Sequence, residues 1–245
     1  SGTKVSLYGH KVPAGGMACV TIDGAVTVIA SGTGGGAGIG GGSDHRGCTL
    51  SIQDGKVTAT GGAEGGSGIG GGSGSVASIK AGGSGVTISG GTVNATGGAG
   101  AAGIGSGANG DYVKGSYVTI TDGTVNANGG KGAAGIGDGA NNVAAADSVI
   151  SITGGTVKAN GGAGEAAGIG NGENDARDAA VSISATNAAL DVTAVTQGSG
   201  EAITGGDDLT MAKLDNLFSG VVRFFRGTDH YNTVHNGKYV GMDDN

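Results

Sequence analysis

The amino-acid sequence predicts an all-β fold, a right-handed parallel β-helix (a solenoid) of about six coils that ends in a C-terminal cap. Three observations support this prediction. A glycine-rich segment returns at intervals of 30 to 35 residues. Short runs of valine, isoleucine and threonine alternate apolar and polar side chains, and paired glycines separate these runs. Glycine supplies 60 of the 245 residues while proline occurs once, which excludes collagen and favours an ordered repeat.

Each repeat carries an isoleucine within Ala-Gly-Ile-Gly or a close relative of that sequence. These isoleucines are Ile39, Ile69, Ile104, Ile136 and Ile169, with Ile203 in a degenerate copy. Repetition at this period is typical of solenoids, propellers and arrays. The chain lacks the aromatic signatures of a WD40 blade, the leucines of a leucine-rich repeat and the tandem nonapeptides of a calcium-binding roll. A β-helix is the architecture that remains.

The coil that begins at Val86 shows how three short strands make one turn. Apolar residues alternate with polar ones from Val86 to Thr96, which places the apolar side chains inward. Gly90-Gly91 and Gly97-Gly98 form corners, and a third strand carries Ile104. Stacking of the coils about 4.8 Å apart predicts continuous inward ladders. The ladders are Ile88, Ile120, Ile152 and Ile183; Val93, Val125 and Val157; and Ile104, Ile136 and Ile169.

The chain is predicted to divide into three parts. Residues 1–18 form a partial N-terminal coil, residues 19–210 the β-helix repeats and residues 211–245 the cap. All three phenylalanines follow residue 210, and bulky side chains suit a plug over the open end of a solenoid core. Residues 211–218 fit a short amphipathic helix, and the residues from Val221 to Phe224 fit a closing strand.

The formal net charge of −7 and the absence of a basic patch predict that nucleic acid is not a partner. No apolar run reaches the roughly 18 residues of a membrane span. No signal peptide is visible. We therefore expect an excised piece of a larger exported protein.

The repeated Gly-Gly-x-x-Ala-Gly-Ile-Gly pattern, with its Val-Thr-Ile strands, resembles the glycine-rich β-helix repeat regions of large bacterial surface and secreted proteins. The resemblance covers about residues 19–205. It implies a secreted or cell-surface location. Such proteins include adhesins, carbohydrate-binding modules and polysaccharide-cleaving enzymes, so the resemblance does not choose among these functions.

The outward side of the second strand is the first candidate binding surface. It presents small hydrogen-bonding groups on successive coils, which suit the hydroxyl groups of a polysaccharide or host glycan. The candidate ligand-binding residues are Thr92, Asn94, Thr124, Asn126, Asn128, Lys158 and Asn160. Tyr112 and Tyr117, in the variable loops, are candidates for stacking on sugars. Threonine and asparagine also solubilise and stabilise an exposed strand without binding anything, and this alternative stays open.

The third strand carries a strip of glycines, such as Gly103, Gly105 and Gly107 around Ile104. Glycine inside a strand often marks the close approach of another backbone. Contact with another protein along this strip is one interpretation, and corner geometry that requires a positive φ is the other.

The sequence predicts no cofactor and leaves calcium binding open as the alternative. Asn171, Glu173 and Asp175 offer alternating oxygen ligands, although no EF-hand pattern accompanies them. Cys19 and Cys48 precede the first strands of consecutive coils, which suggests a disulfide, with buried thiols as the alternative.

No serine nucleophile motif or zinc spacing is present. Asp23 and Asp54, at the corners of adjacent coils, could lie as close as a glycosidase pair, but aspartate before glycine is also an ordinary turn residue. The sequence therefore favours a non-catalytic binding or adhesion module of an exported bacterial protein, with glycans as the favoured ligands. A polysaccharide-active enzyme, lyase or glycosidase, and a structural stalk are the alternatives.

Overall fold

The computed structural model describes residues 4–7, 19–44, 49–74, 85–110, 116–142, 148–175, 179–184, 189–204, 220–236 and 238–239. Every regular element in these ranges is a β-strand, which confirms the all-β prediction. The strands form a parallel β-solenoid of about five turns. A sixth, incomplete turn ends where Ile203 forms an isolated parallel bridge to Ile169. None of the described residues forms a helix long and apolar enough to cross a membrane.

The strands are, in chain order, β1 (Lys4–Leu7), β2 (Cys19–Ile22), β3 (Thr27–Ser31), β4 (Ile39–Gly40), β5 (Thr49–Ile52), β6 (Lys56–Thr60), β7 (Ile69–Gly70), β8 (Val86–Thr96), β9 (Ile104–Gly105), β10 (Tyr117–Asn128), β11 (Ile136–Gly137), β12 (Val149–Ile152), β13 (Gly155–Asn160), β14 (Ile169–Gly170), β15 (Ala180–Ile183), β16 (Leu190–Thr196), β17 (Val221–Arg226), β18 (Asp229–His235) and β19 (Lys238–Tyr239). The first and second strands of the coils belong to one 14-stranded sheet, and β4, β7, β9, β11 and β14 form a 5-stranded sheet. In β8 and β10 the first and second strands run together through the corner.

The predicted inward ladders are confirmed by the register of the strands. Ile88 pairs with Ile120, which pairs with Ile152 and through it with Ile183. Val125 pairs with Val93 and Val157, and Ile136 pairs with Ile104 and Ile169. These side chains are at most 1 % exposed. The core is therefore a narrow column of valine, isoleucine and alanine, in which each coil is covered by its neighbours.

The third side of the solenoid consists of backbone packed directly on backbone, and we call it the glycine wall. Its rows are Gly98, Gly130 and Gly162; Gly105, Gly137 and Gly170; and Gly107, Gly139 and Gly172. The N–H of Gly130 donates to the carbonyl oxygen of Ala101 in the coil before it, at 2.9 Å. Likewise, the N–H of Ala140 donates to the carbonyl of Gly100 at 2.8 Å. These two hydrogen bonds therefore join successive coils.

Contacts within the chain explain the glycines of this wall. Gly105 has a φ of +140°, and a Cβ added there would lie 1.9 Å from the carbonyl oxygen of Gly137. Gly103, Gly105 and Gly107 are buried. Stacking of the coils thus accounts for the glycine strip without a second protein, and contact with another protein along it remains a prediction.

At the C-terminal end the parallel sheet continues beyond residue 210. β17 pairs in parallel with β16, and the antiparallel strands β18 and β19 follow it. Val222 and Phe224 are buried against the core column. The predicted helix over residues 211–218 lies outside the described residues, so the cap and the domain boundaries stay predictions. At the N-terminal end, β1 pairs in parallel with β3, which is the second strand of its coil. β1 therefore adds one more strand of this kind to the sheet.

The predicted disulfide involves one residue within the structure and one outside it. Cys19 begins β2, and its register partner in β5 is Thr49. Cys48 lies outside the described residues, so the disulfide remains a prediction.

Candidate functional site

The second strands present a mainly polar surface, which we call the strand face. It comprises the outward residues of β3, β6, β8, β10, β13, β16 and β17, and strict register arranges them in three rows. The first row is Thr27, Lys56, Thr92, Thr124, Thr156, Asp191 and Val221. The second is Ile29, Thr58, Asn94, Asn126, Lys158, Thr193 and Arg223. The third is Ser31, Thr60, Thr96, Asn128, Asn160, Val195 and Phe225, in which Val195 is buried.

The structure brings together the candidate residues that the sequence placed on the second strands. Thr92, Asn94, Thr124, Asn126 and Asn128 lie on β8 and β10, directly opposite one another. Lys158 and Asn160 continue their rows on β13. Thr124 and Lys158 are exposed, whereas the asparagines are half-buried.

The asparagines of the strand face bond to one another across coils. The amide of Asn126 donates to Oδ1 of Asn94 at 3.2 Å, and the amide of Asn160 donates to Oδ1 of Asn128 at 2.7 Å. Such ladders stabilise stacked strands. Part of the hydrogen-bonding capacity of the asparagines is thus used within the chain, and the exposed threonine hydroxyls and Lys158 are the groups best placed to meet a ligand.

The strand face ends in charged and aromatic side chains that sequence reasoning did not place there. A guanidinium nitrogen of Arg223 lies 2.5 Å from a carboxylate oxygen of Asp191 on the neighbouring strand. Phe225 stacks on His230 with ring centroids 4.8 Å apart. The sequence analysis assigned all the late aromatics to a plug, but the alternation along β17 directs Phe224 inward and Phe225 outward.

Of the two candidate tyrosines, the one that the structure describes does not lie on the strand face. Tyr112 lies outside the described residues. Tyr117 begins β10 on the first-strand side of the corner, where it pairs with Val149 and is half-buried. Stacking of sugars on these tyrosines stays a prediction.

A polar pocket of about 520 Å³ lies on the loop side of the last coils and contains the three candidate calcium ligands, Asn171, Glu173 and Asp175. Its other acidic residues are Glu165 and Glu201. Oδ1 of Asn171 accepts the N–H of Ala179 at 2.7 Å, which occupies one acceptor site of that side chain. Among the described residues, no group of three or more His, Cys, Asp or Glu residues is arranged to hold a metal ion. Calcium binding remains a prediction.

Comparison with protein families supports the repeat assignment. Four segments match a family model described as a beta helix repeat, over residues 50–73, 86–108, 118–140 and 150–173. Each segment includes a second strand, a corner and the Ile-Gly strand of one coil. The chain contains a parallel β-helix repeat region. Comparison with curated proteins and with solved structures gives no match.

Within the β-helix region, a buried polar cluster joins the coils of β9 and β11, and sequence reasoning missed it. Oδ1 of Asp138, whose residue is 5 % exposed, accepts the hydroxyls of Ser106 at 2.8 Å and Ser148 at 2.6 Å. The amide of Asn142 donates to Oγ of Ser106 at 3.1 Å. Buried polar groups of this kind are costly unless they are satisfied. The signal in the sequence was the replacement of Gly41 and Gly71 by polar residues at the same point of later coils.

We expect the substitution Asp138→Ala to lower the free energy of unfolding by about 2–4 kcal/mol, because it leaves two buried hydroxyls without their acceptor. Asp138→Asn keeps an acceptor oxygen and is expected to be less damaging. Urea denaturation followed by circular dichroism measures both. Glu64→Ala, at an exposed loop residue, is the control. If Asp138→Ala and Glu64→Ala lowered the free energy of unfolding by the same amount, the cluster would have no structural role.

A second feature of the β-helix region is a row of left-handed residues at the end of the glycine wall. Asp44, Asn109, Asn141 and Asn174 have φ between +56° and +57°. The amide of Asn141 donates to Asn109 at 3.3 Å, and the amide of Asn174 donates to Asn141 at 3.1 Å. Asparagine tolerates this conformation better than other side chains. The row is therefore a structural ladder that turns the chain into the variable loops.

Proposed function

We propose that this β-helix region is a non-catalytic binding or adhesion module of an exported bacterial protein, located in secreted form or at the cell surface. Its ligand is a polysaccharide or host glycan, and the strand face is the surface that binds it. The observation that carries the proposal is the register of outward-facing threonine, asparagine and lysine side chains on adjacent coils.

The geometry of the strand face suits an extended, hydroxyl-rich ligand. Equivalent side chains recur about every 4.8 Å along the solenoid axis, as in any paired sheet. The sheet beneath them is held by buried ladders on its inner side, so the outward groups are held in fixed positions. Because preorganised groups lose little freedom on binding, a grid of modest contacts adds up along a repeating polymer.

Exposed threonine hydroxyls provide a test of the strand face that leaves the fold intact. We expect the double substitution Thr124→Ala and Thr156→Ala to weaken glycan binding about threefold or more, because each removed hydroxyl contributes one hydrogen bond. Titration calorimetry measures the effect. Thr87→Ala is the matched control, since Thr87 is an exposed threonine on the first-strand side of β8. Equal losses for the control and the double variant would assign binding to another surface.

A panel of plant, microbial and mucin glycans, assayed for both binding and released products, tests the proposal as a whole. Saturable binding without products is the expected result. Absence of binding to every glycan would contradict the proposal and favour a structural stalk.

A polysaccharide-active enzyme is the second candidate, because Glu165, Glu173, Asp175 and Glu201 line one pocket. Glycosidases use two carboxylates that flank the scissile bond. Release of products from the panel, abolished by Glu173→Gln, would favour the enzyme over the binding module.

A further inference from the structure

Two sides of the solenoid carry described charges that are mainly of opposite sign. Asp23, Asp54 and Asp122 at the corners, the buried Asp138, and Arg226 and Asp229 at the β17–β18 turn belong to neither side. The strand face carries Lys56, Lys158 and Arg223, with Asp191 as its one acidic member. The loop side beyond the glycine wall carries Asp44, Glu64, Glu165, Glu173, Asp175 and Glu201, against Lys131. A chain with a net charge of −7 thus presents more cations than carboxylates on the strand face. Such an asymmetry directs the approach of a charged ligand.

The positive charge is concentrated in the C-terminal half of the strand face. Lys158, Thr193 and Arg223 follow one another in the second row on β13, β16 and β17. On the coils before β13, by contrast, Asp23, Asp54 and Asp122 occupy the corner next to the strand face. These exposed carboxylates offset the positive charge of Lys56. The C-terminal half is therefore the region where a bound anion has the most favourable electrostatic interaction.

Both cations of this half are accessible to a ligand. Lys158 is exposed, and the Arg223 side chain is 37 % exposed. Arg223 uses one guanidinium nitrogen for Asp191, and a guanidinium has five N–H donors in a planar fork that matches a carboxylate or sulfate. Two coils separate the two residues, which places their backbones about 10 Å apart along the solenoid axis. This spacing suits charges that recur along one polymer chain.

We propose that the ligand of the strand face is an anionic polysaccharide, whose carboxylate or sulfate groups pair with Lys158 and Arg223 while the Thr193 hydroxyl lies between them. This inference rests on the proposed glycan-binding function and specifies its substrate class. The carboxylates that the structure describes on the loop side repel the same polymer, which favours the strand face as its binding surface.

The decisive comparison uses two polymers that share a backbone and differ in charge. The complete chain is titrated, in the presence of a chelator, with polygalacturonate and with its fully methyl-esterified form. Dextran sulfate and dextran form a second pair that distinguishes sulfate from carboxylate. We expect binding of at least one charged member and no binding of its neutral partner. Affinity should fall as salt rises, because exposed ion pairs are screened.

Substitutions at the ion pair separate a binding role from a structural one. Lys158→Gln and Arg223→Gln are each expected to weaken binding about threefold or more, within the range of exposed charge pairs. Asp191→Asn removes a carboxylate from the same surface and should tighten binding. Arg223→Gln and Asp191→Asn break the same ion pair. If the pair had only a structural role, both substitutions would therefore change the binding affinity in the same direction. Lys131→Gln, on the loop side, is the control and should leave affinity unchanged.

The other outcomes show whether the anionic ligand alone, or glycan binding as well, is wrong. Equal binding of charged and neutral partners would overturn the anionic ligand while leaving glycan binding in place. Absence of binding to these polymers and to the whole glycan panel would overturn both. Duplex DNA bound as tightly as the anionic polysaccharides would overturn the inference, because the strand face would then recognise charge alone.

Discussion

The substitution Gly130→Ala is expected to lower the free energy of unfolding by at least about 3 kcal/mol, because it adds a methyl group between two backbones. A Cβ at Gly130 would lie 1.8 Å from the carbonyl oxygen of Gly98 and 2.7 Å from its carbonyl carbon. The neighbouring coil cannot yield, since the N–H of Gly130 is held by the carbonyl of Ala101. Thermal and urea denaturation of the purified variant measure this loss of stability. A variant that does not fold at all would show the largest loss.

Gly24→Asn provides the matched control for the glycine wall. Gly24 has a φ of +73°, but a side chain there would meet no atom within 4 Å. Asparagine tolerates this conformation, so we expect a change in unfolding free energy of no more than about 0.5 kcal/mol. If Gly130→Ala were as stable as this control, the coils would not stack as closely as the structure shows.

The substitution Ile136→Ala is expected to cost about 2–5 kcal/mol, the range for truncation of a buried isoleucine. Ile136 is 0 % exposed and lies between Ile104 and Ile169 in the central ladder of the third strands. The glycines beside it have no side chains with which to fill the cavity. Chemical denaturation with far-ultraviolet circular dichroism provides the measurement.

Ile29→Ala is the control for the core substitution, since Ile29 is 44 % exposed on the strand face. Its truncation is expected to change stability by less than about 1 kcal/mol, because little buried apolar area is lost. Similar losses for Ile29→Ala and Ile136→Ala would contradict the inward assignment of the isoleucine ladder.

The ladders and the strand face were predictable from the sequence because both follow from alternation with a period of two. Once Ile88 is placed inward, Thr87 and Ser89 must face outward, and repetition carries the same assignment to each following coil. The register of Ile120 with Ile88 and of Asn126 with Asn94 confirms this reasoning.

The glycine wall was only half predictable. Its glycines were visible as a strip, but the hydrogen bonds of Ala140 and Gly130 connect residues of different coils, and local sequence patterns do not reveal such pairs. The incomplete last turn has a similar explanation. Thr204 follows Ile203 where other coils have glycine, and only an isolated bridge forms there.

The buried cluster around Asp138 was missed because a polar residue next to glycine is typical of an exposed loop. Only the three-dimensional stack shows that Ser106 and Ser148 converge on its carboxylate. The charge of the strand face was missed for a related reason. Lys158 and Arg223 are 65 residues apart in sequence, and the parallel pairing of β16 with β13 and β17 brings them together.

Mapping the residues that respond to a bound glycan, by nuclear magnetic resonance chemical-shift changes on titration, tests the central claim most directly. We expect the largest changes at the outward residues of β13, β16 and β17, with Thr156, Lys158, Thr193 and Arg223 prominent. Little change is expected at Glu64 and Lys131 on the loop side. Changes centred on Glu173 and Glu201 instead would place the ligand in the acidic pocket and contradict the strand face as the binding surface.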